Sequence, residues 1–159
     1  MLHTLAISGY RSLKDIVLSL GQLNVITGPN GSGKSNVYKA LRLLASTSEG
    51  RLIQTLAREG GLQSTLWAGP EKFSREMLTG EVAVQGTKRK NPVALKLGFT
   101  SDDFSYTIDL GLPAPAQTAF GRDPIIKREC LWRGVARNAR DLCADRRGSH
   151  LRIRPARVW

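Results

Sequence analysis

The spacing of hydrophobic and polar positions changes part-way along this chain. Near the N-terminus Leu2, Leu5 and Ile7, with Thr4, predict a strand ended by Gly9. A turn at Tyr10-Arg11-Ser12 leads to a second strand over residues 15–20. Leu23-Asn24-Val25-Ile26-Thr27 is a short β-prone run that reads as a buried parallel strand. Val37, Ala40, Leu41 and Leu44 then fall at i, i+3, i+4 and i+7, one face of a helix. Residues 46–50 read as a connection, and Leu52, Ile53 and Leu56 as a second helix closed by Gly60-Gly61. A further short helix is expected over 62–67. From Thr79 the period falls to two: residues 81–85, 93–99 and 104–110 alternate, as an antiparallel meander with one wet face does. Lys88-Arg89-Lys90 is placed at a hairpin tip, and residues 112–123 form a loop. A strand is expected at 125–132, a loop or irregular hairpin at 133–149, and a short strand at 151–154. Two regions result, 1–78 with mixed strands and helices and 79–159 as an antiparallel β segment with a basic end.

Between the third run and the first helix stands Gly28-Pro-Asn-Gly-Ser-Gly-Lys-Ser35, which satisfies G-x-x-x-x-G-K-[ST]. A triphosphate presents crowded anionic oxygens, so its cradle needs many donors and no side chain in the way. Gly28, Gly31 and Gly33 supply that freedom, and successive amides backed by a helix N-terminus supply the donors. Strand, glycine loop and amphipathic helix is the order this chemistry requires. Asn30, Gly31, Ser32, Gly33, Lys34, Ser35 and Asn36 are the expected nucleotide contacts. Lys34 would reach the β- and γ-phosphates, and the Ser35 hydroxyl would ligate Mg2+. The fold class expected is α/β, a partial phosphate-loop NTPase core carrying the antiparallel segment, with ATP and Mg2+ as cofactors.

Gly9-Tyr-Arg-Ser-Leu13 and Leu23–Asn36, including the Asn that follows Lys-Ser, resemble the N-terminus of the SMC/RecF-like, ABC-type ATPases. Within them the chain is most similar to the bacterial predicted AAA branch that includes the OLD-type proteins. The match covers about the first third of the chain, with fainter similarity at residues 123–129. The resemblance implies that Arg11 and Ser12 touch phosphate or base. It implies an ATPase of DNA repair or defence, with a homodimer closed through nucleotide and DNA or a nuclease as partner. It also implies a glutamine reaching Mg2+, for which Gln63 and Gln54 stand in range without matching flanks. Such ATPases complete their site with a hydrophobic strand ending Asp-Glu and a Ser-Gly signature, and neither occurs here. Asp109 and Asp145 are only the nearest imitations, with Glu129 the next acid to consider. The expectation is therefore the N-terminal portion of a longer ATPase, or a truncated gene product, binding ATP without turnover by itself. A non-catalytic nucleotide-binding module, or a nucleic-acid-binding module, is the alternative.

Composition adds limits. With 159 residues, 41% hydrophobic and 23% charged, the chain can bury one ordinary core. The net charge is +11 and uneven: residues 122–159 hold 11 Lys/Arg against 4 Asp/Glu. A basic end of this kind attracts nucleic acid or an acidic partner, or is simply a solvated surface. Two cysteines, Cys130 and Cys143, offer neither a disulfide framework nor zinc spacing and fit a reducing, cytoplasmic setting. Arg11, Lys14 and Asp15 interrupt the apolar N-terminus, so neither a signal peptide nor a membrane span is expected.

Overall fold

A computed structural model describes residues 1–82, 92–113, 121 and 123–154. The chain opens with β1 (Leu2–Tyr10) and β2 (Leu13–Ser19), then α1 (Lys34–Ser48), α2 (Leu52–Arg58), α3 (Leu62–Thr65) and α4 (Arg75–Thr79). Strands β3 (Leu95–Ser101), β4 (Phe104–Gly111), β5 (Ile125–Arg133), β6 (Leu142–Arg147) and β7 (His150–Ile153) follow. Together the described strands form one seven-stranded sheet in the order β2-β1-β3-β4-β5-β6-β7, every neighbour antiparallel. The link between the early and late strands is the β1–β3 pairing, in which Leu5 faces Phe99 and Ile7 faces Leu97.

Alternation explains where the core lies. Leu5 and Ile7 of β1, Leu95 and Leu97 of β3, and Ile108 and Leu110 of β4 project to one face and are buried. Against them α1 lays Val37, Ala40, Leu43 and Leu44, with Leu52 and Leu56 of α2 and Leu62 of α3 completing the cluster. Each fully buried aliphatic side chain contributes about 1.5–3 kcal/mol, so this single stripe of α1 fixes the helix on the sheet. Gly9 shows how close the strands come: a Cβ there would collide with the carbonyl of Ala94, and its φ of 75° suits glycine.

The meander matches its expected strands at 93–99 and 104–110 and shifts the first by two residues, to Leu95–Ser101. Of the expected strand over 81–85, residues 83–85 lie outside the described residues, as do the basic tip at 88–90 and most of the 112–123 loop. Three expectations need correction. The run at 23–27 is not a strand in the described sheet: Leu23, Val25 and Ile26 are 86%, 77% and 50% exposed. The antiparallel sheet holds no parallel neighbour for it, so the described residues show no parallel layer of the expected α/β core. Second, α1 runs through Ser48 instead of ending before Ser46. Ser46 Oγ, Thr47 Oγ1 and Ser48 Oγ donate to the carbonyls of Leu43, Leu44 and Ala45, so the three hydroxyls satisfy themselves inside the helix. Third, within the loop or irregular hairpin expected over 133–149, residues 142–147 form a regular strand that pairs antiparallel with both β5 and β7.

Candidate phosphate-binding site

The glycine loop leads directly into α1. Gly33 caps the helix in the left-handed region (φ 98°), and Asn36 N–H and Val37 N–H both donate to its carbonyl, at 2.9 and 3.2 Å. No larger residue fits there. A Cβ on Gly33 would stand 2.8 Å from Ser12 Oγ and 3.1 Å from Leu13 Cδ2, as well as bearing an unfavourable φ. The first turn of the 15-residue α1 thus begins on open loop backbone, with its unpaired amides and dipole directed at the loop.

Lys34 folds back over this loop. Its Nζ donates to the Gly28 and Pro29 carbonyls at 2.6 and 2.7 Å, which holds the ammonium against the concavity that a phosphate would fill. Asn30, Gly31, Ser32 and Ser35 are exposed, while Gly33, Lys34 and Asn36 are half-buried. Asn36 faces inward: its Nδ2 donates to Ser12 Oγ at 2.8 Å. Ser12, for which the resemblance implied contact with phosphate or base, lies against Asn36 and Gly33 at the foot of the loop.

Arg11, which the resemblance placed at phosphate or base, is paired here with an acid. Its guanidinium Nη2 donates to Glu59 Oε2 at 2.7 Å, and Tyr10 OH donates to the same oxygen at 2.8 Å. The backbone here is strained, since Arg11 is the one non-glycine with positive φ (49°) among the described residues. Burial acts to raise the Glu59 carboxyl, but hydrogen bonds from Arg11 and Tyr10, helped by the charges of Arg11 and Lys39, hold it below its ordinary value. The Glu59 hydrogen bond pushes the Arg11 guanidinium up. Burial pushes the Tyr10 phenol up to about 12, against the lowering contact of Arg11. Nothing in the sequence points to Glu59, because a single acid after a helix carries no spacing signal to Arg11, 48 positions away.

The remaining candidates are scattered. Gln54 and Gln63 are exposed on α2 and α3. Asp109 sits on β4 between Ile108 and Leu110, whose side chains face α1, so its carboxylate points to the opposite face of the sheet, between Lys96 and Arg128 in register. Asp145 receives Arg128 and Arg147 at 3.5 and 3.8 Å, and Glu129 accepts from Tyr106 OH at 2.6 Å. Among the described residues no three His, Cys, Asp or Glu side chains gather as a metal site. The Ser35 hydroxyl, the expected Mg2+ ligand, is exposed in the first turn of α1. A mostly apolar cavity of about 570 Å3, lined by Leu2, Leu41, Phe99 and Leu131 among others, opens beside the C-terminal half of α1 and takes no part in this site. No helix among the described residues is long and apolar enough to cross a membrane.

A family model described as "AAA domain, putative AbiEii toxin, Type IV TA system" matches residues 23–157, most of the chain and all of the glycine loop. The chain belongs to this AAA family. Its resemblance to SMC/RecF-like and OLD-type phosphate-loop ATPases is supported by individual relatives. An uncharacterized protein of Methanocaldococcus jannaschii, MJECL10, is 31% identical over 109 residues, covering 66% of this chain and 44% of that protein. The OLD nuclease of Thermus scotoductus is 46% identical over 44 residues (28% of this chain, 8% of the nuclease). The chromosome partition protein Smc of Desulfitobacterium hafniense is 56% identical over 43 residues (26% of this chain, 4% of Smc). The chain spans less than half the length of each of these relatives. No solved structure matches it. Membership in the AAA family implies a nucleotide-binding protein.

Proposed function

We propose that this chain binds ATP with Mg2+ at Gly28–Asn36 and serves as the nucleotide-binding portion of an SMC/RecF-like ATPase. In this reading the amides of Asn30, Gly31, Ser32 and Gly33 and the N-terminus of α1 wrap the phosphates. Lys34 leaves the Gly28 and Pro29 carbonyls for the β- and γ-phosphates, trading two neutral acceptors for anionic ones. Ser35 holds Mg2+ and Asn36 ties the loop to Ser12, which follows the Arg11 held by Glu59. The observation that supports this best is the left-handed Gly33 capping a 15-residue helix, with Lys34 already folded over the loop.

DNA repair or defence is the proposed setting, in the cytoplasm, with closure of two copies on nucleotide and DNA or a nuclease as partner. The names of the OLD nuclease and Smc relatives support it. So does the basic row of Arg128, Arg147 and Arg152 on the β5–β7 face opposite α1, where Asp145 balances only part of the charge.

Calorimetric titration with Mg-ATP tests the site. Lys34→Ala is expected to weaken binding by roughly ten- to over a hundredfold, the loss of about 1.5–3 kcal/mol from a charge-assisted contact. Ser35→Ala should chiefly remove the gain in affinity that Mg2+ brings, and stripping the metal with EDTA should reproduce that loss in wild type. Equal affinity for wild type and Lys34→Ala refutes the site.

A further inference from the structure

The phosphate loop is not held by its own residues alone. Its base rests on Ser12, whose Oγ accepts from Asn36 Nδ2 at 2.8 Å and leaves room only for glycine at position 33. Ser12 follows the strained Arg11, so its position depends on whatever keeps that turn in place. Backbone contacts tie the turn to the segment after α2: Arg11 N–H donates to Thr65 O at 2.7 Å, and Trp67 N–H donates to Gly9 O at 2.8 Å. Among the side chains, one oxygen joins both residues before Ser12. Glu59 Oε2 accepts from both Arg11 Nη2 and Tyr10 OH, in a carboxylate only 20% exposed. Hydrogen bonds to a charged, half-buried acceptor are the stronger kind, worth about twice neutral ones.

We infer that Glu59 is a positioning residue for the phosphate loop, acting through the Tyr10-Arg11-Ser12 turn. The inference rests on the proposed nucleotide site. It assigns to an acid at the end of α2 control over the register of Ser12 against Gly33 and Asn36. It also accounts for a guanidinium aimed at Glu59 instead of standing free: with the arginine anchored, the left-handed turn persists and Ser12 stays seated under the loop. Loss of the anchor frees the turn, and the loop amides must then be ordered at the moment nucleotide binds.

The test is Mg-ATP affinity by calorimetry on the full chain, read beside thermal unfolding, for Glu59→Gln, Tyr10→Phe, Arg11→Ala and the Arg11/Glu59 double variant. Glu59→Gln keeps the shape and an acceptor but loses the charge, and is expected to weaken binding about three- to tenfold. Tyr10→Phe removes one of the two donors to the same oxygen and should weaken it less, in the same direction, so the inference remains testable if Glu59→Gln fails to fold. In the Arg11→Ala background Glu59→Gln should add no further loss, whereas a purely structural defect would lower the melting temperature and the affinity alike in both backgrounds. Tighter binding by Glu59→Gln would overturn the inference, since it would mean that Glu59 competes with phosphate for Arg11. So would affinities of Glu59→Gln and Tyr10→Phe within twofold of wild type while Lys34→Ala abolishes binding. Should wild type and Lys34→Ala bind alike, the nucleotide site itself fails, and this inference with it.

Discussion

Arg11 and Glu59 show how much of this site depends on single groups placed by the fold. The Gly-Tyr-Arg-Ser run marks Arg11 and Ser12 as residues beside the loop, yet only the folded chain shows that the guanidinium is taken by Glu59. A consequence follows for acid stability. The Glu59 carboxyl lies below its ordinary value of 4.5 in the folded state, so the folded chain holds its proton less tightly than the unfolded one. The latch therefore contributes its full stability above the ordinary carboxylate range and loses it as pH falls through the lowered folded value. Thermal unfolding measured between pH 7 and pH 3 should show wild type losing more stability over the acid end than Glu59→Gln does. Identical acid slopes in the two proteins would contradict the latch. The Tyr10 phenol, pushed up to about 12, stays protonated and donating throughout this window.

At the scale of elements, what could be read in the sequence was what local pattern determines. The apolar spacing of α1 marks its buried face because packing on the sheet demands that stripe, and the alternation of β3 and β4 marks theirs. Other elements depend on partners that no local pattern names. Residues 23–27 look like a buried strand, but burial requires neighbours in register, and the described sheet provides none. β6 is rich in charge because Asp145, Arg146 and Arg147 pair across to β5 and β7, so its strand character comes from the ladder and cross-strand ion pairs. The site divides the same way: the loop's glycines and Lys34 were legible as chemistry in one short run, while Glu59 enters only through tertiary contact. Urea unfolding can check the contrast. Leu43→Ala, at a fully buried position of α1, should cost about 2–5 kcal/mol. Val25→Ser, in the exposed run, should fall within about 0.5 kcal/mol of wild type. A large loss from Val25→Ser would mean that residues 23–27 are packed after all.

For the whole molecule, one antiparallel sheet carries α1 on one face and a charged face opposite, which bears on the proposed separation of nucleotide binding from turnover. Phosphoryl transfer needs an acid to hold the metal and a group to orient the attacking water beside the γ-phosphate. Here Asp109 lies across the sheet from α1, and Asp145 is engaged by two arginines. Residues 1–159 should therefore hydrolyse ATP no faster than a Lys34→Ala control in a steady-state phosphate-release assay. A rate that Lys34→Ala eliminates would show that the catalytic groups are present in this chain, with Asp109 the first to replace. Binding remains the central claim, and hydrogen–deuterium exchange with and without Mg-ATP tests it most directly. Slowed exchange should concentrate in the peptide spanning residues 28–37 and disappear in Lys34→Ala, leaving the amides of β4 and β5 unchanged. Protection absent from residues 28–37, or placed on the basic face of β5–β7 instead, would contradict the account.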